Sequence, residues 1–198
     1  KSFASPAGHG IYLSYLMRPS SELRRRISNA RSNVIWTSIT AWTAVCVAKV
    51  IEKNCGIRPD IKWVNDLYIA GKKVCGILCE ASMAIETRQL ESIILGIGVN
   101  TGRTRLPADL EDIATTVGNV TGREISRSAL IAEMSNNLEA MEGQLLTGEY
   151  LEECRRRSIV IGRKIQVIRG NERYDAVALD IDDSGALLIE KDGEKLRL

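Results

Sequence analysis

Residues 67–78 constrain the fold of this chain most strongly, because their pattern is that of a β-hairpin. Residues 67–69 form a short apolar arm, and residues 74–78 form a second arm that is almost wholly apolar. The turn between them, Ala70-Gly71-Lys72, contains a glycine that can adopt the positive φ that a tight turn needs. We therefore expect two antiparallel strands here, entered from a strand over residues 61–64.

The base of this hairpin is unusually polar. Four polar side chains gather there around Trp63, namely Lys62, Asn65, Asp66 and Lys73. Removing such groups from water costs several kcal/mol unless each finds a partner. Two cations with an amide and a carboxylate suit an anionic ligand, with or without a metal. The alternative is a solvated hairpin that carries a few charges, and composition alone does not choose between the two.

Composition indicates an ordinary globular protein. The chain has 198 residues, 44% of them hydrophobic and 26% charged, with a net charge of +2. This length accommodates a main domain of about 150 residues and a small second one. The charge gives no reason to expect nucleic acid or a membrane as partner. We find no signal-peptide pattern and no apolar run that approaches the roughly 18 residues of a membrane span.

The five cysteines and the single histidine do not form a pattern that indicates a catalytic or metal-binding role. The five cysteines are odd in number and lack C-x-x-C spacing, so we expect buried thiols that behave as small apolar residues, in a reducing cytoplasm. Cys75 and Cys79 fall on one face of a predicted strand. His9 is expected in a loop, which argues against acid/base chemistry based on histidine.

The remaining elements of the first 157 residues follow from periodicity and capping. Predicted strands cover residues 11–17 and 91–100, the latter buried on both faces. We expect a solvated charged segment over residues 18–32, a loop over 101–124 with a helical piece near 108–117, and a helix over 149–157 after Gly148. Two long helices are predicted. The first is capped by Ser32 or Asn33, ends at Asn54, and has the apolar stripe Ile35, Ile39, Trp42, Cys46 and Val50. The second is capped by Ser126, with the stripe Leu130, Met134, Leu138, Met141 and Leu145.

From Ser158 onward the pattern changes to short alternating strands. They are predicted at residues 159–161, 164–168, 176–179 and 186–189, with turns between them. About 40 residues of hairpins indicate a small barrel that packs on the first domain. Gly96 and Gly98 do not form a dinucleotide-binding fingerprint; their missing side chains let a ligand or a neighbouring element approach the backbone.

Several motifs resemble those of biotin protein ligases. The segments KWVNDLY at 62–68 and GKKVCGILCE at 71–80 are similar to the family signature KWPND[LI] followed by G[RK]K[LV]xGILxE. GIGVN at 96–100 resembles the family's strand end. Residues 5–8 and 11–14 are similar to the segment that follows its biotin-binding loop, and residues 106–107 and 114–117 are similar to its adenylate-side segment. Val64 stands where the family has proline. The family's Gly-Arg-Gly-Arg-type loop and the strand before it would lie upstream of Lys1, so we expect further residues there. The helix-turn-helix that some relatives carry is not in this sequence.

The resemblance implies a fold and a reaction. The fold is α+β, a mixed β-sheet flanked by helices as in class II aminoacyl-tRNA synthetases and biotin ligases. Its catalytic domain is residues 1–157, and residues 158–198 form an SH3-like β-barrel. The reaction uses ATP, Mg²⁺ and biotin to form biotinyl-5′-AMP and pyrophosphate. The biotinyl group then passes to a lysine of a biotin carboxyl carrier domain. A homodimer is left open.

The resemblance also implies roles for individual residues. Lys73 would contact the biotin carboxylate and the α-phosphate, and Lys62 would be a second cation that holds phosphates. Asp66 would orient a lysine, hold the incoming amine or bind Mg²⁺, and we favour the first two. No residue is assigned as a metal ligand. The other expected contacts are the adenylate side for Asn100 and Asn65, and the biotin pocket for Gly76 and Leu78.

Two other functions remain open. A lipoate or octanoate ligase of the same superfamily is the nearest, although Trp63 and residues 76–80 favour biotin. The second is a non-catalytic regulatory module that binds biotinyl-adenylate, against which the intact Lys62 and Lys73 argue.

Overall fold

The protein folds as two antiparallel sheets with helices packed on the larger one. The structure, a computed structural model, describes residues 8–29, 34–84 and 90–198. The strands of the main domain are β1 Gly10–Met17, β2 Asp60–Lys62, β3 Asp66–Ile69, β4 Lys72–Met83 and β5 Leu90–Asn100. Its helices are α1 Ser21–Asn29, α2 Val34–Cys55, α3 Val117–Thr121, α4 Arg127–Ala140, α5 Gln144–Thr147 and α6 Tyr150–Arg157. The C-terminal part contains β6 Lys164–Arg169, β7 Glu172–Ile181, β8 Leu187–Lys191 and β9 Glu194–Arg197.

The larger sheet has the strand order β1-β5-β4-β3-β2, and each neighbouring pair is antiparallel. The smaller sheet is an antiparallel meander in the order β6-β7-β8-β9, consistent with an SH3-like fold. The predicted fold class is confirmed. Within the smaller sheet, however, residues 159–161 are not a strand. Ser158 makes a single parallel bridge to Ile61, and the main chain then turns, with Gly162 N donating to Ala178 O.

Helix α2 forms the centre of the main core. Its predicted stripe is buried, but so are residues on its other faces, including Thr43, Ala44 and Val47. The stripe was therefore too narrow a prediction, because α2 packs on the sheet, α4 and α6 at once. The threonines fit this apolar setting because they bond within the helix, as Thr43 Oγ1 does to Ile39 O at 2.8 Å.

The length and composition of α2 also correct one expectation. Residues 35–55 are long and apolar enough to cross a membrane, so the statement that no apolar run approaches that length is wrong. Because most of this segment is buried inside the fold, its packing already accounts for its apolar composition.

Other boundaries differ from the predictions. The segment after β1 carries the helix α1, whose Leu23 is buried beneath exposed charged side chains. The helix expected near residues 108–117 is instead a series of turns, and α3 begins at Val117. Ser126 caps α4 as predicted, accepting from Ala129 N. The loop over residues 5–7 and the cap at Ser32 or Asn33 lie outside the described residues.

The cysteines behave largely as predicted. All five are free, and four are buried, whereas Cys79 is half-buried. Burial raises the pKa of the Cys154 thiol to about 12 and that of Cys79 to about 11. Such thiols are protonated and weakly nucleophilic at neutral pH.

Candidate active site

The outer face of the larger sheet is a trough floored by glycines. The pairing places Tyr12, Gly98 and Gly76 side by side across three strands, and Ser14, Gly96 and Leu78 form the next row. The opposite face of these strands carries the core side chains, including Cys75, Ile77, Leu95 and Ile97. The prediction that β5 is buried on both faces is wrong, because its glycine face is only half-buried.

This trough opens into a cavity of about 930 Å³, a size typical of small-molecule sites. It brings together all seven residues that the sequence singled out: Lys62, Asn65, Asp66, Lys73, Gly76, Leu78 and Asn100. Sequence reasoning missed the lining residues Tyr12, Tyr68, Leu110 and Ile113. Tyr12 and Ser14 are two residues apart on β1, so their side chains lie on the same face of the sheet, and this alternation could have predicted that Tyr12 faces the cavity. Leu110 and Ile113 lie in turns, where no such periodicity exists.

The hairpin turn sets the positions of the charged pair. Ala70 and Gly71 both have positive φ, 50° and 76°, which is the geometry of a two-residue turn, so Lys72 already belongs to β4. Lys73 then reaches back toward β3, and its Nζ lies 2.6 Å from Asp66 Oδ1. Both side chains are partly exposed, at 29% and 19%, so the ion pair is accessible from the cavity.

Gly76 makes room for this lysine. A Cβ built at Gly76 would lie 3.3 Å from both Cε and Nζ of Lys73, and 3.7 Å from Asp66 Oδ1. The lysine side chain therefore crosses directly over the glycine. This explains why a residue without a side chain occupies the position between the two charges.

A returning segment forms the opposite wall. Lys73 N donates to Ile113 O at 3.0 Å, and Thr115 N donates to Lys73 O at 2.9 Å. Asn100 Nδ2 donates to Thr115 O at 3.3 Å, which ties the end of β5 to the same segment. The Asn100 Oδ1 is buried and makes no hydrogen bond within the part of the chain that the structure describes, so it offers a free acceptor beside the cavity.

The turn between β2 and β3 supplies the remaining polar groups. Lys62 Nζ lies 5.6 Å from the centroid of the Tyr68 ring, an arrangement that leaves the ammonium available at the cavity. Asn65 Nδ2 donates to Ile77 O at 3.2 Å, and Ile77 N donates to Asn65 O at 2.8 Å. Asn65 thus fastens its own turn to β4 through both its side-chain amide nitrogen and its main-chain carbonyl. The Trp63–Val64 peptide bond in this turn is cis.

These groups suit an anion better than a metal ion. Two lysine side chains, Lys62 and Lys73, line the cavity. Asp66 supplies a carboxylate among the described lining residues, and it is already paired with Lys73. No cluster of three or more His, Cys, Asp or Glu side chains occurs in residues 8–29, 34–84 and 90–198. His9 lies in a bend outside the cavity lining, where its carbonyl accepts from Thr101 N and Gly102 N.

Comparison with known proteins points in one direction. Residues 1–100 match the biotin/lipoate A/B protein ligase family, and residues 160–198 match the biotin protein ligase C-terminal domain. The chain is 33% identical to the bifunctional ligase/repressor BirA of Bacillus subtilis over 94% of this chain and 55% of that protein. It is 28% identical to the biotin–[acetyl-CoA-carboxylase] ligase of Mycobacterium tuberculosis, over 80% of this chain and 58% of that protein. The chain thus spans little more than half the length of these curated relatives.

Solved structures agree on the fold. The biotin protein ligase of Aquifex aeolicus superimposes with a TM-score of 0.76 at 22% identity, over 96% of this chain and 78% of that one. Its complex with biotin and ATP gives 0.73 at 21% identity, over 96% and 75% of the two chains.

Proposed function

The chain belongs to the biotin/lipoate A/B protein ligase family, and we propose that it carries the catalytic site of a biotin protein ligase. In the first step the biotin carboxylate attacks the α-phosphorus of ATP, giving biotinyl-5′-AMP and pyrophosphate. In the second, the ε-amine of an acceptor lysine attacks the mixed anhydride and releases AMP. The similarity to the biotin–[acetyl-CoA-carboxylase] ligase of Mycobacterium tuberculosis, and to the Aquifex aeolicus structure in complex with biotin and ATP, supports this proposal.

One observation carries the proposal: the two cationic side chains Lys62 and Lys73 line the same cavity as an apolar trough whose floor is formed by glycines. In the first step a carboxylate must approach a polyphosphate, so the main barrier is the meeting of two negative charges. Fixed cations and donors that face this charge lower the barrier most. The Lys73 side chain lies over the trough at Gly76, and its main chain is bonded to Ile113 and Thr115 of the opposite wall, so its ammonium can contact both a carboxylate in the trough and a phosphate beside it.

The other residues receive roles from their positions. Lys62, at the cavity edge, holds phosphate oxygens as a mobile point charge. Asp66 orients Lys73 in the free protein. In the second step, Asp66 holds the amine of the incoming lysine by a hydrogen bond or accepts its proton. Gly76 and Leu78 form the floor and apolar wall for biotin, while Asn100 and Asn65 face the adenylate.

The proposal extends to Mg²⁺, the partner and the location. Because the described residues supply no metal-ligating cluster, we propose that Mg²⁺ arrives bound to the ATP phosphates, as is common for this ion. The macromolecular substrate is a biotin carboxyl carrier domain, and the location is the cytoplasm, which the five free thiols support. A homodimer stays open, and we assign no nucleic-acid partner to these residues.

Exchange of labelled pyrophosphate into ATP tests the proposed reaction. The full-length protein is expected to catalyse exchange only when biotin is present, since the back-reaction consumes biotinyl-5′-AMP. Exchange supported by lipoate or octanoate instead would select the nearest rival. Binding of biotinyl-5′-AMP without any exchange would select the non-catalytic regulatory module.

The Gly76→Ala variant tests the close passage of Lys73 over the glycine. The new methyl group would displace a flexible ammonium rather than backbone, so the fold should persist while the charge moves away from its working position. A displacement of this kind is expected to lower the exchange rate by about 10- to 100-fold. Gly96→Ala is the control, since its Cβ would make only ordinary contact, 3.5 Å from Leu78 Cβ. Equal losses in both variants would mean that filling the trough, and not moving Lys73, is what matters.

A further inference from the structure

The β2–β3 turn that carries the cavity's polar groups is fastened to the C-terminal domain. Trp63, the residue after Lys62, is half-buried, and its Nε1 donates to Gly185 O at 3.0 Å across 122 residues of sequence. Gly185 belongs to the turn between β7 and β8, residues 182–186. Among the residues that the structure describes, the Trp63–Gly185 bond is the one hydrogen bond between the 182–186 turn and residues 63–65 of the β2–β3 turn.

The 182–186 turn is itself rigid. Asp182 Oδ1 accepts from the amides of Ser184 at 2.8 Å and Ala186 at 3.1 Å, and also from the Ser184 hydroxyl. Arg197 Nε donates to Asp182 Oδ2 at 2.7 Å. Burial alone would raise the pKa of Asp182, but the hydrogen bonds from Ser184, Arg197 and Ala186 outweigh it and lower the pKa. The carboxylate is therefore charged at neutral pH and keeps the turn in one conformation.

The same turn is pressed against the first part of α2. Ser38 Oγ donates to Ser184 O at 2.5 Å. Gly185 has a φ of +82°, and a Cβ there would lie 3.3 Å from Ser38 Cα and 3.4 Å from Ser38 N. The Gly185 carbonyl is thus held in place from the α2 side while it accepts the indole N–H on the other side.

We propose that the 182–186 turn is a positioning element for the anion site, acting through the Gly185–Trp63 hydrogen bond. Among the described residues, three side-chain contacts hold the β2–β3 turn and the first residue of β3: Asn65 bonds to Ile77, Asp66 pairs with Lys73, and Trp63 bonds to Gly185. Two of them come from β4, and the third comes from the C-terminal domain. Loss of the third contact frees Lys62 and Trp63, while the bonds of Asn65 to Ile77 and the Asp66–Lys73 ion pair keep Lys73 in place. This role rests on the proposed function, in which Lys62 holds the phosphates of ATP.

The test separates ATP affinity from turnover in the full-length protein. Trp63→Phe keeps the aromatic ring and removes the donor. Gly185→Ala pushes the turn off α2. A hydrogen bond of this kind contributes about 0.5–1.5 kcal/mol, which corresponds to a 2- to 10-fold weaker affinity for ATP. We expect that loss in calorimetric ATP binding and in the KM for ATP, with kcat changed by less than about twofold. The double variant should be no worse than the weaker-binding single variant, because both remove one interaction.

Gly193→Ala is the matched control. Gly193 lies in the β8–β9 turn with the same φ of +82°, and a Cβ there would meet nothing within 4 Å. This variant has the same left-handed strain and should keep the wild-type KM for ATP. Wild-type ATP affinity in Trp63→Phe, or additive losses in the double variant, would overturn the positioning role and leave the ligase proposal intact. A wild-type protein that binds no ATP would overturn both.

Discussion

The Lys73→Ala variant is expected to lose biotin-dependent pyrophosphate exchange by about 100- to 1000-fold, as when one preorganised charge-stabilising donor is removed from an active site. The Lys73 ammonium lies over the glycine trough at Gly76, and the Lys73 main chain is bonded to Ile113 and Thr115 of the returning wall. Because those bonds involve only the backbone, alanine preserves them. The fold should therefore persist, with unchanged circular dichroism and only a modest loss of thermal stability because Asp66 loses its ion-pair partner, while the charge disappears.

Lys72→Ala provides the control for this prediction. Lys72 precedes Lys73 in β4, but its Nζ turns away to the Glu111 carbonyl, and it does not line the main cavity. Its loss removes the same charge from the same strand and one bond to the turns over residues 108–113; the main-chain bonds of Lys73 still hold that segment, so near-normal exchange is expected. Equal loss in both variants would show that general positive charge, and not the position of Lys73, supports the reaction. Near-normal exchange in Lys73→Ala would refute its role.

The largest loss of stability is expected from Arg157→Met. The Arg157 guanidinium is 3% exposed and joins α6 to α2 and to the segment before β2. Its Nε lies 2.5 Å from Glu153 Oε1, its Nη1 donates to Pro59 O at 3.1 Å, and its Nη2 pairs with Glu52. Methionine fills the apolar part of the site but leaves Glu153, whose side chain is only 14% exposed, with the exposed Arg156 as its remaining described partner, and it removes the bonds to Glu52 and Pro59. Breaking a buried pair in this way costs about 3–5 kcal/mol of unfolding free energy, measurable by urea denaturation.

The neighbouring arginine separates burial from charge. Arg156 also pairs with Glu153, but its side chain is 68% exposed, so Arg156→Met should cost no more than about 1 kcal/mol. Burial would raise the pKa of Glu153, but hydrogen bonds from Arg156 and Arg157 outweigh this and lower it. Because the pKa of Glu153 is lower in the folded protein than in the unfolded chain, where it is near 4.3, ionised Glu153 stabilises the fold at pH above about 4.3. This stabilisation is lost as the pH falls through the lower pKa of the folded protein. The gap between wild type and Arg157→Met should therefore narrow in acid; a gap that stays constant would contradict this origin.

The candidate site was predictable largely because it is local. Asp66, Lys73 and Gly76 lie on β3 and β4, which the turn at Ala70-Gly71 brings together, and Lys62 pairs with Asp66 from the adjoining β2. The period of two along β4 and β5 also separates Gly76 and Leu78 from the core residues around them. Their convergence on one cavity follows from strand pairing, while their chemical roles stay predictions.

The parts that sequence reasoning missed depend on long-range contacts. The turns over residues 108–113 are held by Lys72 and Lys73, so the helical preference there yields to tertiary bonds. The bond between Trp63 and Gly185 joins residues with no local relation. Helix α2 was correctly placed, but its full burial reflects neighbours that a single amphipathic stripe does not describe.

The alternation along β4 and β5 also bears on how such a site can diversify. Each of these strands has two faces. One face packs the sheet on its helices and the other lines the trough, so the two functions depend on separate sets of residues. Substitutions at Leu78 or Gly96 can reshape the trough with little effect on the core, so variants with altered ligand preferences can arise without loss of the fold. A single-residue insertion would have the reverse effect, since it would exchange the two sets and abolish recognition and stability together.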